Sequence, residues 1–166
     1  TSGNRVTNGI TGVGVTAGGT GYVVGEIVTL ATGTNGKVIV TSVGIGGVVT
    51  GVQLYSAGSG FSVANFAQTA TTGVGTGLST RVTSIGIVCN VTTGVNHNFK
   101  IGDIVKINGS SLYNTNYTII GTNSLTTFDF VTSAASSMSA DVAQSATVIV
   151  DSTKNWTVNE HVGKIL

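Results

Sequence analysis

The stretch Gly19-Thr20-Gly21-Tyr22-Val23-Val24-Gly25-Glu26-Ile27-Val28 decides the fold, because its parts recur along the chain. Its first four residues return as Gly-Ser-Gly-Phe at 58–61, which is an offset of 39 residues. Nine residues upstream, Ile-Thr-Gly-Val at 10–13 returns as Val-Thr-Gly-Val at 49–52 with the same offset. A fixed period of this size indicates a repeat architecture.

The last seven residues of the stretch recur more widely as a motif. Its positions are aromatic, any residue, Val or Ile, small, acid or Asn, any residue, and apolar; Val24 holds the third position in the first copy. Four copies begin at Tyr22, Phe61, Phe99 and Trp156. A large ring can plug a small β-core, Gly or Asn tolerates a tight turn, and the acid can accept a backbone N–H there. We therefore expect four largely buried rings at equivalent corners, each followed by a strand.

Period-two patterns and turn signals predict strands throughout. Thr80 to Val91 alternates so that Ile85, Ile87, Cys89 and Val91 share one face, and Lys37 to Val43 is almost entirely β-branched. Turn-forming residues lie at 34–37, 108–110 and 121–124. The segment 134–143 lacks an apolar stripe and is expected to be a loop. We predict almost no helix and a strand content above roughly 40%, well beyond the usual share in globular proteins.

The predicted fold is all-β, with two small β-sandwich or barrel-like modules built from repeated short-strand units. Residues 1–92 form a Gly-rich module of two units, each matching the repeat offset of 39 residues, and 93–166 form a second module with a boundary near 90–94. Strands of the second module are expected near 103–108, 117–121, 125–132 and 146–150. We expect the strands of 10–88 and 95–150 to form separate sheets.

The composition argues against several classes of partner. The 166 residues include 25 Gly and no Pro, charged residues are 8%, and the net charge is +1; soluble domains usually have about 25% charged residues. No basic patch is visible, so no nucleic-acid partner is expected. No apolar run reaches about 18 residues, so no membrane insertion is expected. The uncharged stretch Val38 to Thr80 suits strands covered by other protein.

Catalytic, cofactor and metal sites are not predicted. Residues 12–17 match a G-x-G-x-x-A form, but no helix pattern follows to hold a pyrophosphate. Gly58-Ser59-Gly60 is a turn and not a nucleophile elbow. His97 and His161 are the two histidines, and with the single Cys89 they lack zinc spacing. The six acids of the chain are assigned to motif turns or stand isolated: Glu26, Asp103, Glu160, Asp129, Asp141 and Asp151.

The sequon asparagines and the single cysteine are interpreted as structural residues. The sequons at Asn90, Asn108, Asn116 and Asn155 arise readily by chance in a chain rich in Thr and Ser, and indicate glycosylation only in a protein secreted by a eukaryotic cell. Cys89 is expected to be a buried, unreactive thiol. A disulfide between neighbouring subunits is the competing interpretation.

Several segments resemble the Gly-rich β-repeats and small β-modules of tailed-phage and large DNA virus structural proteins. The resemblance lies in residues 18–26 with 31–34, 56–61, 97–105 with 113–119 and 126–128, and 150–159 with 163–164. It implies a structural or adhesive role in a virion, and it transfers no catalytic residues.

These observations predict a non-enzymatic structural subunit or repeat segment of a viral or extracellular fibre or capsid-decorating assembly, located in a virion or outside the cell. Its expected partners are copies of itself or neighbouring virion proteins. Strand pairing or strand exchange near 1–6 and 162–166 is expected, because both ends suggest a segment of something longer. The alternative is a receptor- or glycan-binding adhesin module of a tail fibre, with Tyr55, Tyr113 and Tyr117 as candidate sugar-stacking residues.

Overall fold

The computed structural model of the protein describes residues 2–108, 110, 112–134 and 150–151. Strands make up 62% of it, which confirms the all-β class and the predicted strand content. Among the described residues, the one helical element is the 3-10 turn Ile45–Gly47. The strands are β1 Ser2–Thr20, β2 Ile27–Leu30, β3 Lys37–Val43, β4 Val49–Ser56, β5 Asn65–Thr71, β6 Thr76–Thr92, β7 Ile104–Lys106, β8 Asn116–Ser124, β9 Thr127–Val131 and β10 Val150–Asp151.

The chain divides into two compact units. The first, here the Gly-rich unit, is Val6–Val88. The second, here the aromatic unit, combines residues 2–5 with the described residues from Cys89 onward. The division falls at 88/89, whereas the sequence predicted 92/93, and it assigns the start of β1 to the aromatic unit.

The expectation of separate sheets is wrong. The order of paired strands runs β10-β7-β8-β9-β6-β5-β2-β3-β4, and β1 also pairs with β6. The reason is the 17-residue strand β6, which contributes residues to both units. The buried residues of β6 also change parity along the strand: Leu78, Thr80, Val82 and Val88 in the Gly-rich unit, then Cys89 and Val91 in the aromatic unit.

In the Gly-rich unit the strands pair in the order β1-β6-β5-β2-β3-β4, and β1 also bonds the segment just past β4. Ile10 of β1 donates its backbone N–H to the carbonyl of Ala57, just past β4, at 2.9 Å. Strands β2 and β3 form an antiparallel hairpin and bury alternate residues, as their period-two pattern predicts. The buried apolar side chains are Ile10, Tyr22, Val28, Leu30, Val38, Val40, Val49, Leu54, Ala57, Phe61, Phe66, Leu78, Val82 and Val88.

The aromatic unit has its own core, in which ring contacts dominate. Its strands β7, β8 and β9 pair antiparallel, and β10 pairs with β7. The core residues are Cys89, Val91, Val105, Ile107, Tyr113, Ile119, Phe128 and Phe130. The predicted buried thiol of Cys89 is confirmed, with 0% exposure, and Val91 shares its face, whereas Ile85 and Ile87 are half-buried.

One turn prediction is wrong. Residues 121–124 have turn composition but belong to β8, and the chain turns at Leu125–Thr126 instead. Gly121 and Ser124 pair with β9, so strand pairing overrides the local preference. The Trp156 motif with Glu160, His161, Asp141, Asn155, most of the loop 134–143 and of the strand 146–150, and the joint at 162–166 lie outside the described residues.

Candidate interaction surface

The rings of the first two motif copies fill pockets whose bottom is lined by glycine backbone. Tyr22 and Phe61 are each 2% exposed, which confirms their predicted burial. A methyl group added at Gly75 would lie within 3.0 Å of the Tyr22 ring, and one at Gly36 within 3.0 Å of the Phe61 ring. Glycine at these two sites therefore makes room for the rings.

The Tyr22 hydroxyl is fixed at the bottom of its pocket. It donates to Oε1 of Gln68 and accepts the N–H of Leu78 at 3.1 Å. The Gln68 amide in turn donates to the carbonyl of Gly75 at 3.0 Å. Burial raises the pKa of Tyr22, against a smaller lowering by the Leu78 N–H. The hydroxyl thus has a structural role.

The predicted turn forms after Tyr22 and again after Phe99. Glu26 N–H donates to the Val23 carbonyl at 3.3 Å, and its Oε1 accepts the Val23 N–H at 3.2 Å. In the later copy Asp103 makes both bonds to Lys100, at 3.1 and 2.8 Å. The residues before these acids are glycines with φ of +94° and +93°, as a type II turn requires.

The Phe61 copy lacks this turn, although an antiparallel strand pair still follows it. Ala64 stands where the Tyr22 and Phe99 copies have glycine, and its Cβ disfavours the left-handed backbone. The following Asn65 therefore bonds elsewhere, with Oδ1 accepting from Thr16 at 3.4 Å and Arg81 at 3.5 Å. A strand still begins at Asn65 and pairs with β6.

Phe99 departs from the burial expected of the motif. Its ring is half-buried and packs against the edge of the aromatic core. It stacks on His97 with ring centroids 5.0 Å apart and meets Phe128 edge-on at 5.5 Å. Phe99 packs on side chains and not on a glycine backbone. Because Phe128 already fills the core beneath it, the Phe99 ring lies over the core and not inside it.

The loops around the Tyr22 turn carry exposed apolar side chains. Gly21 and Tyr22 donate backbone N–H groups to the carbonyls of Gly46 and Gly47, at 2.9 and 3.0 Å, which joins the turn to the β3–β4 loop. The loop with Gly75 lies against the Tyr22 ring. We call the following set the apolar end: Val23 (61% exposed), Val24 (60%), Ile45 (98%), Val48 (38%) and Val74 (84%).

The positions at the repeat offset from the apolar end are more polar. Ser62 corresponds to Val23, and Asn35 corresponds to Val74. Val63, which corresponds to Val24, is itself 52% exposed. The loop residues 21–25, 44–48 and 72–75 contain no charged side chain. The sequence motif recorded an apolar third position but gave no signal that this position faces outward.

The candidate chemical residues lie apart from one another. In the described part of the chain, no three His, Cys, Asp or Glu side chains are grouped to hold a metal ion. Asp129 is buried and accepts the Asn90 amide at 2.6 Å, which gives that sequon residue a structural contact. Glu26 and Asp103 bind their turns, as predicted. The 12–17 stretch lies within β1, and Ser59 forms a two-way backbone bridge with Thr34.

The tyrosines proposed for glycan stacking are engaged in packing. Tyr113 is fully buried, and burial raises its pKa to about 12, with a smaller contribution from Cys89. Tyr117 is half-buried, and its ring lies 4.1 Å from that of Phe130, centroid to centroid. Tyr55 is half-buried in β4. Core packing accounts for the first two.

Comparison with known protein families, with curated proteins and with solved structures finds no match to this chain. Among the described residues, no helix has the length and hydropathy needed to cross a membrane.

Proposed function

We propose that this chain is a structural subunit or repeat segment of a viral or extracellular fibre or capsid-decorating assembly, and that it acts by self-association and not by catalysis. Its partners are copies of itself or neighbouring proteins of the same virion or fibre. The observation that carries the proposal is the apolar end. Four of its five side chains are at least 60% exposed, and they come from three adjoining loops.

Such a surface favours a protein partner. Contiguous exposed apolar patches on soluble proteins mark interaction sites when they exceed a few hundred Å². The loops that form the apolar end contain no charge, so two copies can approach without like-charge repulsion. The uncharged segment from Val38 to Thr80 contributes two of these loops, which supports the interpretation that this segment is covered in the assembly.

The test compares the association of three proteins by sedimentation velocity. The triple variant Val23→Ser, Ile45→Thr, Val74→Asn makes the apolar end polar, and two of its substitutions copy residues found at the repeat offset. The control, Ser62→Ala, changes the exposed residue that corresponds to Val23 in the Phe61 copy of the motif. We expect wild type and control to associate with rising concentration and the triple variant to associate at least tenfold more weakly. Equal association of all three would overturn the role of the apolar end.

The adhesin alternative predicts a different result. A glycan array probed with the full chain would show strong, selective binding that Tyr55→Ala abolishes. The packing of Tyr113 and Tyr117 leaves few aromatic surfaces for that mode, so we expect no selective binding.

A further inference from the structure

The Gly-rich unit is built from two repeats that complete each other. We define the first repeat as residues 7–45 and the second as 46–84, which are equal in length and 39 residues apart. The pocket of Tyr22, from the first repeat, is floored by Gly75 of the second. The pocket of Phe61, from the second repeat, is floored by Gly36 of the first. The two glycines are themselves separated by the same repeat offset.

The backbone bonds around the two rings show the same reciprocity. Tyr22 N–H donates to the carbonyl of Gly47 at 3.0 Å, and Phe61 N–H donates to that of Asn8 at 2.9 Å. The two donors are one repeat offset apart, and so are the two acceptors. The neighbouring pair repeats the relation, with Gly21 N–H on Gly46 at 2.9 Å and Gly60 N–H on Thr7 at 3.3 Å.

A hydroxyl contact between strands repeats as well. Thr50 of β4 meets Ser42 of β3 at 2.8 Å between their hydroxyl oxygens, and Thr11 of β1 meets Ser84 of β6 at the same distance. Each pair joins one repeat to the other. The two repeats are therefore related by an approximate two-fold operation, like the subunits of an isologous dimer.

The connection between the repeats is short and glycine-rich. It runs from Gly44 to Val48 and is closed by Gly44 N–H on the Val48 carbonyl at 2.7 Å and Gly47 N–H on the Gly44 carbonyl at 3.2 Å. Ile45 within it is 98% exposed, so opening the connection removes little buried area. Every contact between the repeats could then be remade with the repeat of another chain.

We infer that copies of this chain associate by exchanging whole repeats across the 44–48 connection, so that the first repeat of one chain packs with the second repeat of another. An opened chain presents both halves, so exchange can proceed from copy to copy and build a linear assembly. The inference rests on the proposed self-association and adds the partner surface: the repeat itself, with its ring and its glycine floor.

The test uses Thr34 and Ser59, which form an antiparallel bridge between the repeats with N–O distances of 2.9 and 3.0 Å. Facing residues of such a pair lie about 5.5 Å apart at Cα, which suits a disulfide. The double variant Thr34→Cys, Ser59→Cys is allowed to associate, oxidised, alkylated and run on a non-reducing denaturing gel. Thr34→Cys alone reports random cross-linking.

Exchange predicts cross-linked dimers and higher species from the associated double variant, at least fivefold above the single variant. A sample oxidised while dilute should give internally cross-linked monomer. Six Gly and Ser residues inserted between Gly44 and Ile45 relax the closed connection and should lower the dimer fraction. Internally cross-linked monomer from an associated sample would overturn exchange and leave self-association standing. A chain that never associates would overturn both.

Discussion

Replacing Gly75 by Ala tests whether a glycine floor holds the Tyr22 ring. The added methyl carbon would lie within 3.0 Å of three ring atoms, Cγ, Cδ1 and Cε1. The ring is 2% exposed and its hydroxyl accepts the Leu78 N–H, so it cannot swing aside without losing that hydrogen bond. Overpacking of this kind costs about 1–3 kcal/mol, offset by about 0.4–1 kcal/mol from the stiffer unfolded chain. With the middle of each range, the net loss that we expect is about 1 kcal/mol.

The assay is urea unfolding followed by circular dichroism. Gly36→Ala should lose a similar amount, since its methyl would meet the Phe61 ring. The control is Gly14→Ala in β1, where an added Cβ has nothing within 4 Å; its stability should be unchanged or slightly higher. Phe61→Leu should make Gly36→Ala less harmful, because the smaller side chain leaves room. Equal unfolding midpoints for all three alanine variants would refute the ring-on-glycine argument.

Three further predictions concern the aromatic unit. Phe128→Ala, at a fully buried ring, should lower the free energy of unfolding by about 3–5 kcal/mol, and Phe99→Ala by less, because its ring is half-buried; the reverse order in urea unfolding would contradict the packing described. Cys89 should react with a maleimide only as fast as the protein unfolds, while an exposed Ser62→Cys control labels at once. Rapid labelling of Cys89, or a reducible dimer through it, would count against the buried thiol. Burial lowers the pKa of His97, whose Nδ1 accepts the Phe99 N–H at 3.0 Å. The stability this neutral ring contributes is complete above pH about 6.5 and falls as the pH drops below that value. Wild type should therefore lose more stability between pH 7 and 5 than His97→Asn. Parallel pH profiles of stability would show that protonation of His97 does not destabilise the fold.

The repeat and its local devices could be predicted from the sequence, because they depend on residues close together in the chain. The aromatic, the turn glycine and the acid recur as a group, and Glu26 and Asp103 bind their turns as that grouping implies. The period shows that units are alike, but it does not say whether a ring packs within its own unit or the next. The repeat offset between Gly36 and Gly75 is the sequence signal for the reciprocal pockets, and it lies outside the seven-residue motif.

Long-range pairing accounts for the other differences. Two Thr-Ser pairs, Thr41-Ser42 and Thr83-Ser84, each contact a Thr-Gly pair in the same way. They lie 42 residues apart, which differs from the repeat offset, so an alignment at that offset does not match them. The residues 121–124 look like a turn, yet pairing with β9 makes them strand. Burial of Phe99 depends on Phe128, which no local pattern connects to it. The exposure of the apolar end follows from which loops meet, and sequence patterns alone do not report that.

Electron microscopy of the purified 166-residue chain at rising concentration tests the central claim, that this protein is a self-associating structural element, most directly. We expect regular filaments or ordered layers whose repeating unit has the mass of one chain, 16.6 kDa, and we expect the triple variant of the apolar end to lose them. Dispersed single particles at every concentration, or irregular clumps that the triple variant forms equally well, would contradict it.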